Sequence, residues 1–598
     1  MSYRTIPTDT AGMPGGVPYI ISNEAAERFS FYGMRTILVI FMTQYLWLMD
    51  GPGGEAMSKT EATAVYHDFV FWVYLTPLFG ALLSDIFLGK YRTIIILSLV
   101  YCAGHAALAF MGSFGDSKMW LFTGLALIAI GAGGIKPCVS AHVGDQFGKN
   151  NSHLLTKIFN WFYFSINLGS FVSTLMTPWL LKWYGPHWAF GIPGALMALA
   201  TLFFWMGRNK FIHVPAGGKK FIQETFSNEG IIALAKLIPL YLFIAIFWAL
   251  FDQTGSSWVF QAQDMNRNFL GIEWLESQIQ AINPLLILTF IPLFTMFVYP
   301  TINKFFKLTP LRKIGIGFFL AAASFGVVTL AQVWIDAGDR PSVAWQILAY
   351  ALLTAAEVMV SIVALEFSYT QAPKKMKSVV MGVFLVSVGI GNLFTAIVNK
   401  AIIIPKVNSE ELTVGFDGKK DSGDEIIAPE EETKNALHTF KTEGLDKQFA
   451  DILSEISTKV EKDKIFPAAD SVDLPKDPWG NPFRYKQLNS VTARLSSNGP
   501  DKEADTKWDL HMTISLIQPD PPKEKDSWLA RRKEELKTKE EKSEDKSPYA
   551  FKIESSIGGG STLEGASYFR LFTMLMLGTA VLFVPFAFLY KERTYLQS

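Results

Sequence analysis

The 598-residue sequence predicts an all-α membrane protein of twelve transmembrane helices in two six-helix bundles, with a small α+β extracytoplasmic insert between helices 11 and 12. Three observations carry that expectation. Half of the residues are hydrophobic and only 18% are charged, an apolar excess that a soluble chain of ordinary design does not need. Apolar runs of about 20 residues, the length that crosses a bilayer, recur at 18–48, 62–86, 93–112, 119–142, 155–182, 188–206, 236–260, 280–300, 311–334, 343–366, 378–404 and 566–590. A single long polar segment, 405–565, interrupts the series before its last member.

An even number of spans leaves both termini on one side. The connections on that side carry Lys90, Arg92, Arg208, Lys210, Lys304, Lys307, Arg312 and Lys374, whereas the opposite short loops carry only Lys59, Lys118, Lys182, Arg267 and Arg340. The positive-inside rule therefore puts both termini in the cytoplasm and segment 405–565 outside, with a bacterial inner membrane as the expected location. The polar connection 207–235 divides the spans six and six, giving an N-terminal bundle at 15–206, a cytoplasmic linker at 207–235, helices 7 to 11 at 236–404 and a last helix at 566–590. Two halves with a solute site at the midplane are a common plan of secondary transporters. The 54 basic and 54 acidic residues cancel, so net charge points to no nucleic-acid partner. Residues 1–17 do not read as a cleavable signal. Cys102 and Cys138 both lie in apolar runs and outline no disulfide framework. No GxxxxGK[ST], HExxH or GxSxG sequence appears, so neither an ATP motor nor an intramembrane hydrolase is supported.

The first span contains EAAERFSFYGMR, residues 24–35, which puts Glu24, Glu27, Arg28 and Arg35 inside an apolar run. A charge near the bilayer centre costs about 2.5–3.5 kcal/mol on insertion scales, and such groups mark solute or proton paths. At about 100° per residue these four, with Phe31 and Tyr32, fall within an arc of roughly 140° and share one face. Glu24 and Arg28 are four apart in the favourable order for a local ion pair. Arg35 lies too far along the axis to share them and needs a partner on another helix.

Further motifs follow. GALLSDIFLGKYR, Gly80 to Arg92, combines small residues for close helix approach with Asp85, Lys90 and Arg92, which can latch a cytoplasmic loop, and is similar to the helix 2–3 motif of the major facilitator superfamily. His67 stands beside Asp68 in the second span, where an imidazole can exchange protons near neutral pH. The fourth span holds Lys136 next to Pro137 in GAGGIKPCVSAHVGDQF, and the fifth holds Tyr163 and Asn167 in FNWFYFSINLGSF. With FWALFDQTGSSW, NPLLIL and AAEVMVSIVALEFSYTQAPKKMKS in the second half, the chain resembles the proton-dependent oligopeptide transporters, a peptide-transporting branch of the major facilitator superfamily, over nearly all of 15–404 and 566–590.

The resemblance implies roles. Arg35 and Lys136 would meet the peptide carboxylate, Arg being suited to bidentate contact. Asn167, Asn283 and Glu357 would take the peptide α-ammonium, with Tyr32, Tyr163 and Phe384 lining adaptable pockets. Asp252 would pair with Arg35 as an extracellular gate opened by protonation, and Glu24 and Glu27 would serve proton coupling with Arg28; His67 joins that group on its own chemistry as a titratable imidazole. The coupling ion is the proton and no cofactor is expected. Phe31 and Phe384 stand where relatives often carry tyrosine and tryptophan, which keeps another small anionic or drug-like solute open as the cargo.

Within 405–565, the stretch 430–517 is expected to be globular and 520–565 a charged tether. LPKDPWGNPFRY, Leu474 to Tyr485, and SSNGPDKEADTKWDL, Ser496 to Leu510, resemble the C-terminal domain of major pseudopilins of type II secretion systems. That resemblance implies Asn498, Asp501, Asp505 and Asp509 as calcium ligands, whereas Lys502 and Lys507 interrupt the acidic run and favour a solvated loop. An exported domain also leaves room for an envelope partner. The sequence as a whole reads as a proton-coupled symporter of di- and tripeptides rather than an enzyme, the competing reading being a membrane-anchored binding module acting through its exported domain.

Overall fold

The computed structural model describes residues 3–7, 11–50, 56–218, 228–371, 377–407, 472–516, 526–536 and 551–590, with isolated positions between 416 and 467. Its long helices are α1 Val17–Ile40, α2 Lys59–Leu83, α3 Lys90–Ala109, α4 Ser117–Asp145, α5 Leu155–Tyr184, α6 Pro186–Met206, α7 Asn228–Phe251, α8 Ile282–Leu293, α9 Pro310–Asp336, α10 Ala344–Glu357 and α11 Lys377–Ile402. A short helix, α12 Trp528–Leu536, and a long one, α13 Ala566–Leu589, follow later in the chain. Ten helical segments among the described residues are long and apolar enough to cross a membrane. Helices α1 and α5, of 24 and 30 residues, are equally long but more polar and fall outside that ten.

Two separate apolar cores organise these helices. One gathers Phe31, Ile37, Phe69, Tyr101, Ile128 and Phe190 from α1 to α6, and the other Phe247, Phe318, Phe325, Tyr350, Phe572 and Phe583 from α7 to α11 and α13. Small residues set the closest approaches: a Cβ on Gly80 would lie 2.1 Å from the Gly133 carbonyl oxygen, so α2 and α4 touch backbone to backbone. Between the halves, α2 runs along α11 and α5 lies against α8. Prolines 77, 137, 178, 193, 239, 292 and 585 sit inside helices, where packed neighbours tolerate the lost backbone bond.

Connections sort to two ends. At one, Gln146 holds Ile212 through its backbone, Arg4 bridges Ile212, and Lys90 reaches Asp145 at 2.7 Å. Lys90 therefore latches α3 to the end of α4 rather than to Asp85, whose backbone carbonyl instead accepts from Gly217. The other end carries the insert. Its strands β3 Arg484–Asn489, β4 Thr492–Ser497, β5 Leu510–Leu516 and β6 Phe551–Ile557 form one antiparallel sheet in sequence order, the pair β1 Asn268–Phe269 and β2 Ile272–Glu273 being a separate small ladder. Phe449, Ile452, Ile456 and Val460, spaced three and four apart, bury against the sheet with Phe483, Leu495 and Ile514. Asp477 accepts from the amides of Trp479 and Asn481 and from Ser497 Oγ, which fixes the expected tight turn.

Of the charged tether expected over 520–565, residues 520–525 and 537–550 lie outside the described residues, and the rest departs from that expectation. This stretch supplies the fourth strand, paired with β5 from Leu510↔Ile557 to Leu516↔Phe551, and the helix α12. The alternation of Phe551, Ile553, Ser555 and Ile557 is the period-2 pattern of a strand, masked in the sequence by the charged tract before it.

Candidate functional site

Charge is concentrated where the halves meet. On α1, Arg28 Nε lies 2.7 Å from Glu24 Oε1 and 3.2 Å from Glu27 Oε2, and both carboxylates are fully buried. One turn on either side of Phe31 stand Glu27 and Arg35, and Lys136 of α4 places its Nζ 4.1 Å from the Phe31 ring centre and 4.4 Å from that of Tyr74. The Lys136 ammonium is buried and donates no hydrogen bond among the described residues. A desolvated cation held by two ring faces, with no carboxylate bonded to it, is suited to receive an anion.

Arg35 finds its partner on the other half. Its guanidinium pairs with Asp252 at the end of α7 and donates to the Tyr66 hydroxyl, with Arg35 and Asp252 only 8% and 1% exposed. Close approach of the halves requires glycine at 255, where a Cβ would meet the Tyr66 hydroxyl at 2.0 Å. The second oxygen of Asp252 accepts from Asn392 Nδ2 at 2.7 Å, Asn392 Oδ1 stands 2.7 Å from His67 Nδ1, and His67 Nε2 stands 2.9 Å from Ser256 Oγ. The polarity of this chain is determined by its ends. An ionised Asp252 only accepts, so the Asn392 carbonyl must take the Nδ1 proton, and a neutral His67 then accepts from Ser256.

Asp68, adjacent to His67, turns away and pairs with Lys400. On the second half, Glu357 accepts from Asn283 Nδ2 at 2.8 Å, and the same amide reaches Thr354 at 3.1 Å. A π-helical turn, Val358–Ile362, begins directly after Glu357, a distortion common at functional positions. Asn167 bonds back to the Tyr163 carbonyl at 2.9 Å on α5, and Tyr32 sits edge-on to Phe31.

The structure thus joins Glu24, Glu27 and Arg28 in one knot, Arg35 and Asp252 with His67 in a second, and Asn283 with Glu357 in a third. Phe384 is apart from these, 3% exposed and edge-on to Tyr241 in the second core. Four participants were not singled out in the sequence: Tyr66, Tyr74, Ser256 and Asn392. The signal for Asn392 is an amide amid small residues in GIGNLF, and for Tyr66 its place beside His67.

In the insert, Asp509 is fully buried and pairs with Arg484, while accepting from the amides of Asp505 and Thr506. Asp505 also reaches Arg484 at 3.1 Å, Asp501 accepts from Thr506 Oγ1 at 2.7 Å, and Asn498 donates to the Lys502 carbonyl. Burial pushes the Asp509 carboxyl up, with Asp505 and Thr506 amides and Arg484 opposing. Among the described residues no group of three or more His, Cys, Asp or Glu is placed to hold a metal, and Arg484 supplies the cation this loop faces.

A family model described as the POT family matches residues 91–232 and 224–412. Peptide transporter family 1 of Drosophila melanogaster is 39% identical over 361 residues, 52% of this chain and 47% of its own length. Solute carrier family 15 member 2 of Danio rerio is 37% identical over 369 residues, 54% of this chain and 50% of its own. The chain spans about half the length of these curated relatives. Among solved structures, the POT family transporter PepTSo is 38% identical with a TM-score of 0.60, covering 65% of this chain and 90% of that one. With the matched segments running through both helical halves, the chain belongs to the POT family.

Proposed function

We propose that the protein is a proton-coupled symporter that imports di- and tripeptides by alternating access of two six-helix bundles, with α1 and α5 bringing the spans to twelve. The observation that carries this reading is the buried Arg35–Asp252 pair joining the halves, extended through Asn392 to His67. Protonation of Asp252 removes one charge of the pair and frees Arg35, so proton entry and separation of the halves become one event. A buried pair broken on one side costs several kcal/mol, which makes the two states discrete.

The peptide is held by its constant features. Lys136 and a released Arg35 meet the carboxylate, and Glu357, held by Asn283, faces the α-ammonium. Aromatic rings between these poles accept varied side chains, while the fixed separation of the poles favours two or three residues. Basic loops support cytoplasmic termini and an insert outside; a bacterial inner membrane and an envelope partner for a pseudopilin-like insert belong to the same proposal. The names of the relatives support peptide as the cargo, and the residues support no covalent step.

Uptake of a dipeptide panel into proteoliposomes with an imposed inward proton gradient tests the reading. Lys136→Ala, Arg35→Ala and Glu357→Ala should each abolish accumulation. Full retention in all three sinks the site assignment, and uptake of other anions without competition by peptides would favour a different cargo.

A further inference from the structure

The insert grips both halves of the molecule. Its sheet is rooted on the second half: Glu564, just before α13, holds Lys486 at 3.1 Å and Arg494 at 3.3 Å, and Asn489 donates to Asp264 at 3.0 Å. Backbone bridges Ile403↔Ser561 and Lys406↔Gly558 close its base. Helix α12, which lies in the chain between the paired strands β5 and β6, reaches the first half instead. Trp528 stacks on Tyr45 beyond the end of α1, ring centres 5.8 Å apart at 20°. Its indole lies on Gly185, which takes φ +87° and where a Cβ would sit 2.6 Å from the ring. Arg531 donates to the Trp183 carbonyl at the end of α5 and Arg532 to that of Leu48 in the short helix Leu46–Met49 that follows α1, while Leu529 packs on the first core.

Beneath α12 is a cavity of about 420 Å³, walled on one side by Ile37 and Gln44, on the other by Arg267 and Glu276, and roofed by Ser527 and Lys533. Ile37, Ile40, Gln44 and Tyr45 on its wall all lie beyond Arg35 along the chain, so the chamber sits between that residue's level and the end held by α12. Any rocking that parts the halves at this end must pull Tyr45 and Gly185 away from Asp264 and Glu564. The sheet follows the second half, and α12 is held by the first.

We propose that Asp526–Leu536 is a strap that holds the insert-bearing ends of the two halves together, so that undocking of Trp528 is a required step in opening that end. The proposal rests on the alternating-access reading above. It makes the insert a regulator of the transport cycle, and anything that holds α12 down would arrest the carrier with this entrance shut.

The test uses the full chain in proteoliposomes, with Cys102 and Cys138 replaced by alanine. A reporter cysteine at Gln44 is titrated with a membrane-impermeant maleimide. Trp528→Ala should raise its labelling rate about tenfold, and Trp528→Phe should restore slow labelling. Separately, Tyr45→Cys with Trp528→Cys, joined by a short reducible bis-thiosulfonate, should stop dipeptide uptake, and reductant should restore it. Unchanged labelling in Trp528→Ala, or undiminished uptake with the link in place, overturns the strap. Labelling does not depend on the cargo: if the parent protein takes up no peptide while Trp528→Ala still labels faster, the strap stands and the transport reading falls.

Discussion

Asn392 fixes Asp252 from α11, donating to Oδ2 at 2.7 Å while its carbonyl faces His67 at 2.7 Å. One amide therefore decides both how the gate carboxylate is aimed and which nitrogen of His67 bears a proton. Asn392→Leu removes this relay and leaves two buried polar groups unsatisfied, at a cost of about 1–3 kcal/mol each. Peptide uptake should fall at least tenfold and its pH profile should change shape, whereas loss of a merely structural amide would lower uptake equally at every pH.

The Arg35–Asp252 pair makes a thermodynamic prediction. Asp252→Ala leaves a buried guanidinium unpaired and should destabilise the protein by about 3–5 kcal/mol. Arg35→Ala combined with Asp252→Ala should recover part of that loss. A double-mutant cycle from thermal unfolding in detergent checks it, and additive losses would mean the pair does not couple the halves.

Glu357, with Asn283 at 2.8 Å, should read the peptide amine. Glu357→Gln is expected to raise KM for free-amine dipeptides at least tenfold and to leave competition by N-acetylated dipeptides nearly unchanged. Competition curves with the two ligand classes decide this. Parallel weakening of both would move the amine site elsewhere.

Acid should loosen the insert. Burial, with Arg494 and Arg484 nearby, lowers His511 from 6.5 to about 4, and its Nδ1 stands 2.8 Å from Ser496 Oγ. The neutral ring is the folded form, so this contribution is complete above about pH 6.5 and is lost as pH falls toward 4. Burial pushes Glu564 up, but Arg494 and Lys486 outweigh it and hold the carboxyl below 4.5, so its contribution too is present above that pH and fails under acid. Limited proteolysis of the full chain should accelerate at the insert between pH 6 and 4, and His511→Gln should flatten that rise.

Helix positions were legible because length and apolarity suffice to specify a span, and the Arg35 search for a partner was legible because an isolated charge in hydrocarbon demands one. That His67 stands beside Asp68 in sequence says nothing of shared partners, because adjacent helical residues point about 100° apart and face different neighbours. Asp68 accordingly meets Lys400 while His67 meets Asn392. The docking of Trp528 was hidden because its partners, Tyr45 and Gly185, are remote in sequence and the surrounding KEKDSWLARRKEE reads as a solvated face. Asn392 was hidden because an amide among small residues looks the same whether it glues helices or relays a proton.

Because the insert separates α11 from α13, the second core is completed late. Phe583 packs on Phe318 of α9 at 4.9 Å between ring centres, and Phe572, Met576 and Ala580 line the same core. During synthesis at about 5–20 residues per second, the ribosome spends on the order of 10–30 s on the insert before α13 emerges. The helix that covers Phe318 is therefore made last, and closure of this core has to wait until the insert has been synthesised.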